Sequence, residues 1–461
     1  MKFYMKIYLL TILSLMVGLT EICAQDAPFQ EVLQLNLQET ISYALENNVE
    51  AKNAKLEILI SQTTVKEETA AGLPQINGSA NLNYNPKIPV IFLPNQPPFG
   101  DPTNPSDVIP FRFGVSYSST VGVTLSQMIF DGSFFVGLRA AKTFKQLTQL
   151  DKVKVENDVI ENVKKAYFGV LVNTERIKLA QSNLIRIDSL LKETKAMNEA
   201  GFTEKIDVSR IQVQRNNTYS QVKRSETAYE ISKEILKVQM GLPMGYDIVI
   251  TETLTELNPE DELIALQQQE GLLRVEMEQL NSNMELVKLD LKNNQVQYMP
   301  TLDLNANFQR SGAGNTLNTA YNSINWFSSS LIGLQLNIPI FDGLAKSAKI
   351  QRNRIQIQQL ENQRINLDQN IDLQIFQAKQ NLSNDLEVLK VQRQSRELAK
   401  EVYDISKIKY NEGVGSNLEV VEADAALIEA EINFLGALYD GLISKVDLEK
   451  ALGILKENIN E

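Results

Sequence analysis

The sequence predicts a membrane protein of the α+β class, built from a duplicated unit of two transmembrane β-strands followed by a long helical hairpin. Three observations predict it. Four short segments alternate apolar and polar residues, two very long runs carry no proline and almost no glycine, and a set of short motifs recurs in the same order in both halves. Composition narrows the chemistry further. The 461 residues include 0 His, 1 Trp and 1 Cys, which is Cys23, so a nucleophile working through an imidazole and a zinc site of His and Cys ligands are both excluded. With 45 Lys and Arg against 57 Asp and Glu, the net charge of −12 disfavours nucleic acid as a partner.

The chain opens with Lys2 and Lys6 ahead of an apolar stretch from Ile7 to Leu19, then Ile22, Cys23, Ala24 and Gln25. This pattern reads as a secretory signal peptide over residues 1–24, with cleavage after Ala24. Lipidation of Cys23 is the competing reading, and Glu21 and Ile22 are poor neighbours for it. No later run is apolar for about 18 residues or more, so no helical membrane span is expected.

The remainder divides into two repeats, residues 25–255 and 256–461. Leu73-Pro74-Gln75-Ile76 is matched by Met299-Pro300-Thr301-Leu302, Phe130-Asp131-Gly132 by Phe341-Asp342-Gly343, and Asn198-Glu199-Ala200-Gly201 by Tyr410-Asn411-Glu412-Gly413. Each repeat is expected to hold a helix, two strands and a helical hairpin.

Strands are expected near 75–86, 114–130, 301–310 and 331–341. Ile76, Gly78, Ala80, Leu82 and Tyr84 alternate with Asn77, Ser79, Asn81 and Asn83. Leu302, Leu304, Ala306 and Phe308 alternate with Asp303, Asn305, Asn307 and Gln309, and Val121, Val123, Leu125 and Ile129 continue the device. In the returning strand Leu334, Leu336, Ile338 and Ile340 alternate with Gly333, Gln335, Asn337 and Pro339. Half-buried soluble sheets share this period, but strands of roughly ten residues also fit a transmembrane barrel. The segment from Pro86 to Pro110 holds more than half of the 14 prolines and reads as an outward-facing loop.

Helical hairpins are expected over 136–240 and 344–455. Leu344 to Asn411 contains no Gly or Pro. At roughly 1.5 Å per residue this run could form about 100 Å of helix. Ile350, Ile357, Leu360, Leu367, Ile371, Ile375, Ala378, Leu382 and Leu389 mark an apolar stripe along it. Four strands cannot close a barrel, and open edges in lipid leave backbone groups unpaired at several kcal/mol each, so other copies of the chain must complete the sheet.

The ordered series resembles the TolC-like outer-membrane efflux proteins over nearly the whole mature chain. It is carried by Ala44-Leu45-Glu46-Asn47-Asn48, the two Pro-to-strand entries, both Phe-Asp-Gly turns, Ala166-Tyr167, Gly241-Leu242-Pro243 and Ala451-Leu452-Gly453. The resemblance implies a homotrimer with a 12-stranded barrel in outer-membrane lipid, continuous with a helical tunnel in the periplasm of a Gram-negative bacterium. It implies passive conduction in tripartite efflux or type I secretion, with a periplasmic adaptor (membrane fusion) protein linking the channel to an inner-membrane pump of the RND, ABC or MFS class. No catalytic residue, cofactor, metal or nucleic acid is implied.

By position the resemblance implies a pore constriction at Glu419 and Glu422, with Asp207 in the corresponding place of the first repeat. It places adaptor docking at the turns Ala200, Gly201 and Phe202, and Gly413, Val414 and Gly415. Gly415 stands where the family can carry a locking arginine, which departs from the pattern. Two other classes compete with this reading. An enzyme using Glu419 and Glu422 would have both carboxylates on one side of any substrate. A secreted or periplasmic coiled-coil structural or adaptor protein explains the helices but leaves the strands without a role.

Overall fold

The computed structural model describes residues 33–98, 100, 106–254, 271, 272, 274–322 and 326–455. The expected signal peptide, with Cys23, lies outside the described residues. In chain order the elements are β1 (Leu33–Leu35), α1 (Leu37–Asn47), α2 (Val49–Ala70), β2 (Gln75–Tyr84), β3 (Val90–Pro94), β4 (Val108–Arg112), β5 (Tyr117–Phe130) and α3 (Gly132–Glu199). There follow α4 (Lys205–Met240), β6 (Ile248–Ile250), α5 (Val275–Val296), β7 (Thr301–Gly314), α6 (Leu317–Tyr321), β8 (Trp326–Asn337), α7 (Ala345–Asn411) and α8 (Asn417–Leu452). None of the described helices is long and apolar enough to cross a membrane.

Two compact units emerge, and each draws on both sequence repeats. A helical unit takes the described residues of Met1–Lys52, Asn157–Glu270 and Gln377–Glu461, and a strand unit takes those of Asn53–Glu156 and Gly271–Phe376.

In the strand unit β2, β5, β7 and β8 form one sheet in that order, every neighbour antiparallel. The sequence alternation sets its register. Ile76, Leu125, Ala306 and Ile332 stand in one row across all four strands, and Leu304 faces Leu334 in the next row. Asn77, Thr124, Asn307 and Leu331 make a row on the opposite face, where Leu331 breaks the polar pattern. The apolar face is uncovered among the described residues: Ile76 is 70% exposed and Ile332 77%. A slip of one residue would exchange the faces completely, so the pattern fixes the pairing.

The last strand differs from its expected bounds of 331–341. It starts earlier, at Trp326, and ends at Asn337. Pro339 has no N–H to give to a ladder, so Ile338 and Ile340 continue the alternation without continuing the strand. The proline-rich segment also holds more than a loop. β3 and β4 pair antiparallel, Val90 opposite Arg112 and Pro94 opposite Val108. Pro94 and Pro110 are accommodated because a two-stranded ribbon has both outer edges free of ladder bonds.

Helices of the strand unit are joined by buried amides. Asn353 on α7 is fully buried, accepts from Asn294 Nδ2 on α5 at 2.8 Å and donates to Asp290 Oδ2 at 2.6 Å. The Asn294 and Asn353 side chains thus satisfy one another between the two helices.

In the helical unit β1 pairs in parallel with β6. α1 starts on a capping box: Glu39 N donates to Asn36 Oδ1 at 2.8 Å, and Asn36 N donates to Glu39 Oε2 at 2.9 Å. Tyr167, fully buried on α3, donates its hydroxyl to Glu252 at 2.9 Å. Lys164 and Glu449, both buried, pair at 2.6 Å between α3 and α8. Nearer the hairpin turns, Ile187, Leu190 and Leu191 of α3 pack with Ile211 of α4, Tyr403 and Tyr410 of α7, and Val420, Ala423 and Leu427 of α8. The spacings of three and four within α3 and α8 put these side chains on one stripe per helix.

Candidate functional site

Both helical hairpins turn by the same backbone device. In the first, Gly201 N bonds Asn198 O at 3.0 Å and Phe202 N reaches back to Met197 O at 2.8 Å. In the second, Gly413 N bonds Tyr410 O at 3.1 Å and Val414 N reaches Lys409 O at 3.0 Å. A six-to-one closure of this kind needs a left-handed residue inside it, and Gly201 and Gly413 supply φ of 82° and 76°. The turns leave Phe202 83% exposed and Val414 78% exposed, two apolar side chains at equivalent places. Ala200 and Gly201 are exposed beside the first.

Gly415 is glycine for a steric reason. A Cβ there would stand 2.9 Å from Lys409 Cβ and 3.1 Å from Tyr410 N. An arginine at this position has no room unless the last turn of α7 moves.

Two of the three acidic residues singled out by the sequence, Asp207 and Glu419, sit in the first turn of a helix. Asp207 is the third residue of α4, accepts from Glu204 N at 3.3 Å and pairs with Arg210 at 3.5 Å. Glu419 is the third residue of α8 and accepts from the Ser416 hydroxyl at 3.2 Å, while that hydroxyl accepts from Glu419 N at 3.2 Å. Glu422 is exposed one turn further along. Carboxylates here also complement the positive end of each helix dipole. Among the described residues no hydrogen bond or ion pair links Asp207 to Glu419 or Glu422.

Behind the turns lies a polar node that the sequence reading missed. Arg186 on α3 donates through Nε to Asp424 Oδ1 on α8 at 2.7 Å, and its guanidinium lies 3.9 Å from Glu431 and 5.1 Å from the centre of the Tyr403 ring. Asn183 donates to Glu431 at 3.1 Å. Burial pushes the Asp424 carboxyl above its usual range against the pull of Arg186, and burial raises Glu431 in the same way. Burial and the neighbouring Asp424 push the Tyr403 hydroxyl up to about 12. Arg186 and Asp424 lie in different repeats, and no local motif joins them.

A second feature missed from sequence is an aromatic boundary at each end of the apolar sheet face. Tyr84 stacks on Tyr117 at 4.7 Å, and Trp326 stands on the same face opposite Gly312. At the other end Phe130 lies 6.4 Å from Phe135. Their positions at the ends of alternating segments were visible in the sequence. Arg310, opposite Val121, stands on this face two residues from Gly312, near the Trp326 end.

A profile of the family described as outer membrane efflux protein matches residues 40–242 and 274–454. The chain is similar to outer membrane protein TolC of Vibrio cholerae serotype O1, 21% identical over 432 residues, covering 92% of this chain and 91% of that protein. It is also similar to the alkaline protease secretion protein AprF of Pseudomonas aeruginosa, 21% identical over 350 residues, covering 74% of this chain and 70% of that protein. Among solved structures the fold matches the outer membrane protein VceC of Vibrio cholerae with a TM-score of 0.68 at 15% identity, over 90% of this chain and 96% of that one.

Proposed function

The chain belongs to the outer membrane efflux protein family, whose members are passive channels of the Gram-negative outer membrane rather than enzymes, and from that premise we propose that three copies close one continuous conduit. One observation carries the reading. The sheet is uncovered on its apolar face, and β2 and β8, its two edge strands, have no ladder partner on their outer sides among the described residues.

An open edge in hydrocarbon leaves its backbone groups unpaired at several kcal/mol each. Pairing β2 of one copy with β8 of the next satisfies both edges, and three sheets of four strands make a closed barrel of 12. Aromatic side chains at both ends of the apolar face suit the two membrane interfaces, and Arg310 lies close enough to one end for its head to reach water. The hairpins α3–α4 and α7–α8 then supply the walls of a periplasmic tunnel.

In this reading the hairpin turns dock a periplasmic adaptor, which couples the conduit to an inner-membrane pump. Phe202 and Val414 offer it exposed apolar contacts. Glu419 and Glu422, repeated three times about an axis, ring the entrance and favour cations. The name of the AprF relative supports a secretion role, and the family name supports efflux; both are passage of cargo delivered by a pump. Heat-modifiable migration of the protein from an outer-membrane fraction tests the reading. A trimer-sized band before heating and a monomer after it support the channel. A soluble monomer or dimer supports the periplasmic coiled-coil alternative.

A further inference from the structure

We infer that the β3–β4 ribbon of one copy folds over the outer mouth of the conduit and seats on Phe327 and Leu331 of the neighbouring copy. The inference rests on the channel reading and adds to it an apolar cover formed between copies. Two features of the strand unit carry it. The first is a break in the polar face of the sheet, the face that lines the lumen in the closed ring. Phe327, opposite Ser311, and Leu331, opposite Asn307, interrupt that face. They are 73% and 71% exposed. β8 is an edge strand, and the β2 that would flank it from the next copy presents Asn77, Ser79 and Asn81 on the same face, too short and too polar to cover them. Large apolar side chains left in water at one place mark a contact surface.

The second feature is a ribbon with no polar face. Ile91 stands opposite Phe111 and Leu93 opposite Ile109 on one side, while Phe92, 66% exposed, and Arg112 lie on the other. Among the described residues β3 and β4 pair only with each other. A lone two-stranded ribbon is marginal in water, so this one needs a surface to pack on. Its tether selects the neighbour's wall. Tyr84 ends β2 and Val90 begins β3, and the chain between them spans at most about 22 Å. Within one copy β5 and β7 separate β2 from β8. In the closed ring β8 of the next copy adjoins β2 directly, at about 4.8 Å. Phe327 is the second residue of β8, near the end of the sheet where β2 finishes. The side with Ile91, Leu93, Ile109 and Phe111 is wholly apolar and suits this wall, which leaves Arg112 on the side turned to water. A ribbon laid on lipid instead would leave Phe327 and Leu331 bare.

The test is oxidative crosslinking of the full chain in outer membranes, resolved by denaturing electrophoresis. Phe111→Cys is combined with Phe327→Cys, and Leu93→Cys with Leu331→Cys. At least one pair is expected to give covalent dimer and trimer, whereas each single variant can give no more than dimer, because three equivalent thiols make one bridge. A bridge within one chain only, or no bridge from either pair in heat-modifiable trimer, overturns the proposal. A second measurement does not depend on thiol geometry. Asn305→Cys, on the lumen face, is modified in intact cells by a bulky, impermeant maleimide. The rate should rise about tenfold when Leu93→Ser and Phe111→Ser are added, since losing two buried apolar side chains shifts the seated ribbon toward its free state. Equal rates overturn the cover, and so does quenching of a fluorophore at Phe111→Cys by brominated lipid, which would assign the ribbon to the bilayer. Recovery of the unmodified protein as a soluble monomer refutes the channel reading instead.

Discussion

Asp207 and Glu419 are structural equivalents: each is the third residue of the helix that follows a hairpin turn, and each carboxylate bonds the residue just before that helix, Glu204 N at 3.3 Å and the Ser416 hydroxyl at 3.2 Å. The two hairpins therefore share a capping position as well as a turn. It gives the acidic residues a local role in addition to any role in a pore, and the two roles separate experimentally.

Neutralising Glu419 and Glu422 together to Gln removes the carboxylates and retains most of their volume. Loss of the helix-start charge should cost about 0.3–1 kcal/mol per copy, a small change in thermal midpoint. If the pair lines a shared entrance, block of the channel by a trivalent cation should largely disappear. Exposed charges outside the pore are screened over about 8 Å at physiological salt, so an unchanged block would place them there.

The apolar sheet face makes a prediction by rows. Ile332→Arg or Leu304→Arg should lower the yield of assembled trimer, because a cation deep in the hydrocarbon costs about 2–4 kcal/mol in each copy. Asn307→Arg, on the opposite face, should assemble normally. Equal yields of all three in outer-membrane extracts would remove the lipid from this face.

Docking is best tested beside the glycine turns. A Cβ at Gly413 would meet no atom within 4 Å, but Gly413→Leu would hold a leucine at φ 76°, which confounds binding with backbone strain. Phe202→Ser and Val414→Ser avoid this because both side chains are exposed and make no core contact. Their stability should stay within about 0.5 kcal/mol of wild type. Efflux should nevertheless fall, and full efflux with a normal trimer would move the adaptor contact elsewhere.

Acid stability depends on a second charge cluster. Burial would raise the Glu161 carboxyl, but hydrogen bonds from Lys165 and Lys450 outweigh it and hold the group below its ordinary range. A depressed carboxyl contributes stability that is present above the ordinary carboxylate range and is lost as pH falls through the lowered value. Thermal midpoints across that acid range should fall less steeply in Glu161→Gln than in wild type. Parallel slopes would show that Glu161 does not carry the effect.

The regular parts of the fold were legible because their periods are. Alternation from Ile76 to Tyr84 and from Leu302 to Phe308 marked strands, and the absence of Gly and Pro from Leu344 to Asn411 marked a helix. Where pattern and hydrogen bonding diverge, sequence misled: Ile338 and Ile340 alternate correctly but stand beside Pro339, while Phe327 to Ser330 pair in β8 with a run of serines that shows no alternation. β3 and β4 were hidden by proline content. Of the site, the glycine turns were readable as local grammar, whereas the Ser416 cap ahead of Glu419 emerged only from the structure. The Arg186–Asp424 contact was not, because its partners are 238 residues apart and only the packing of α3 against α8 brings them together.

In the proposed channel β2 of one copy pairs with β8 of the next, and the ring closes at three. The chain contains 1 Cys, so introduced pairs give few competing products. Asn77→Cys on β2, combined in turn with cysteine at Ser329, Leu331, Gly333 or Gln335 on the same face of β8, places partners along both edges. The measurement is the ladder of covalent products after oxidation in the membrane, resolved by denaturing electrophoresis. Closure predicts that at least one register yields dimer and trimer with nothing larger, because a head-to-tail contact that closes uses every edge. A ladder extending beyond three copies, or no product from any register in correctly inserted protein, would contradict it.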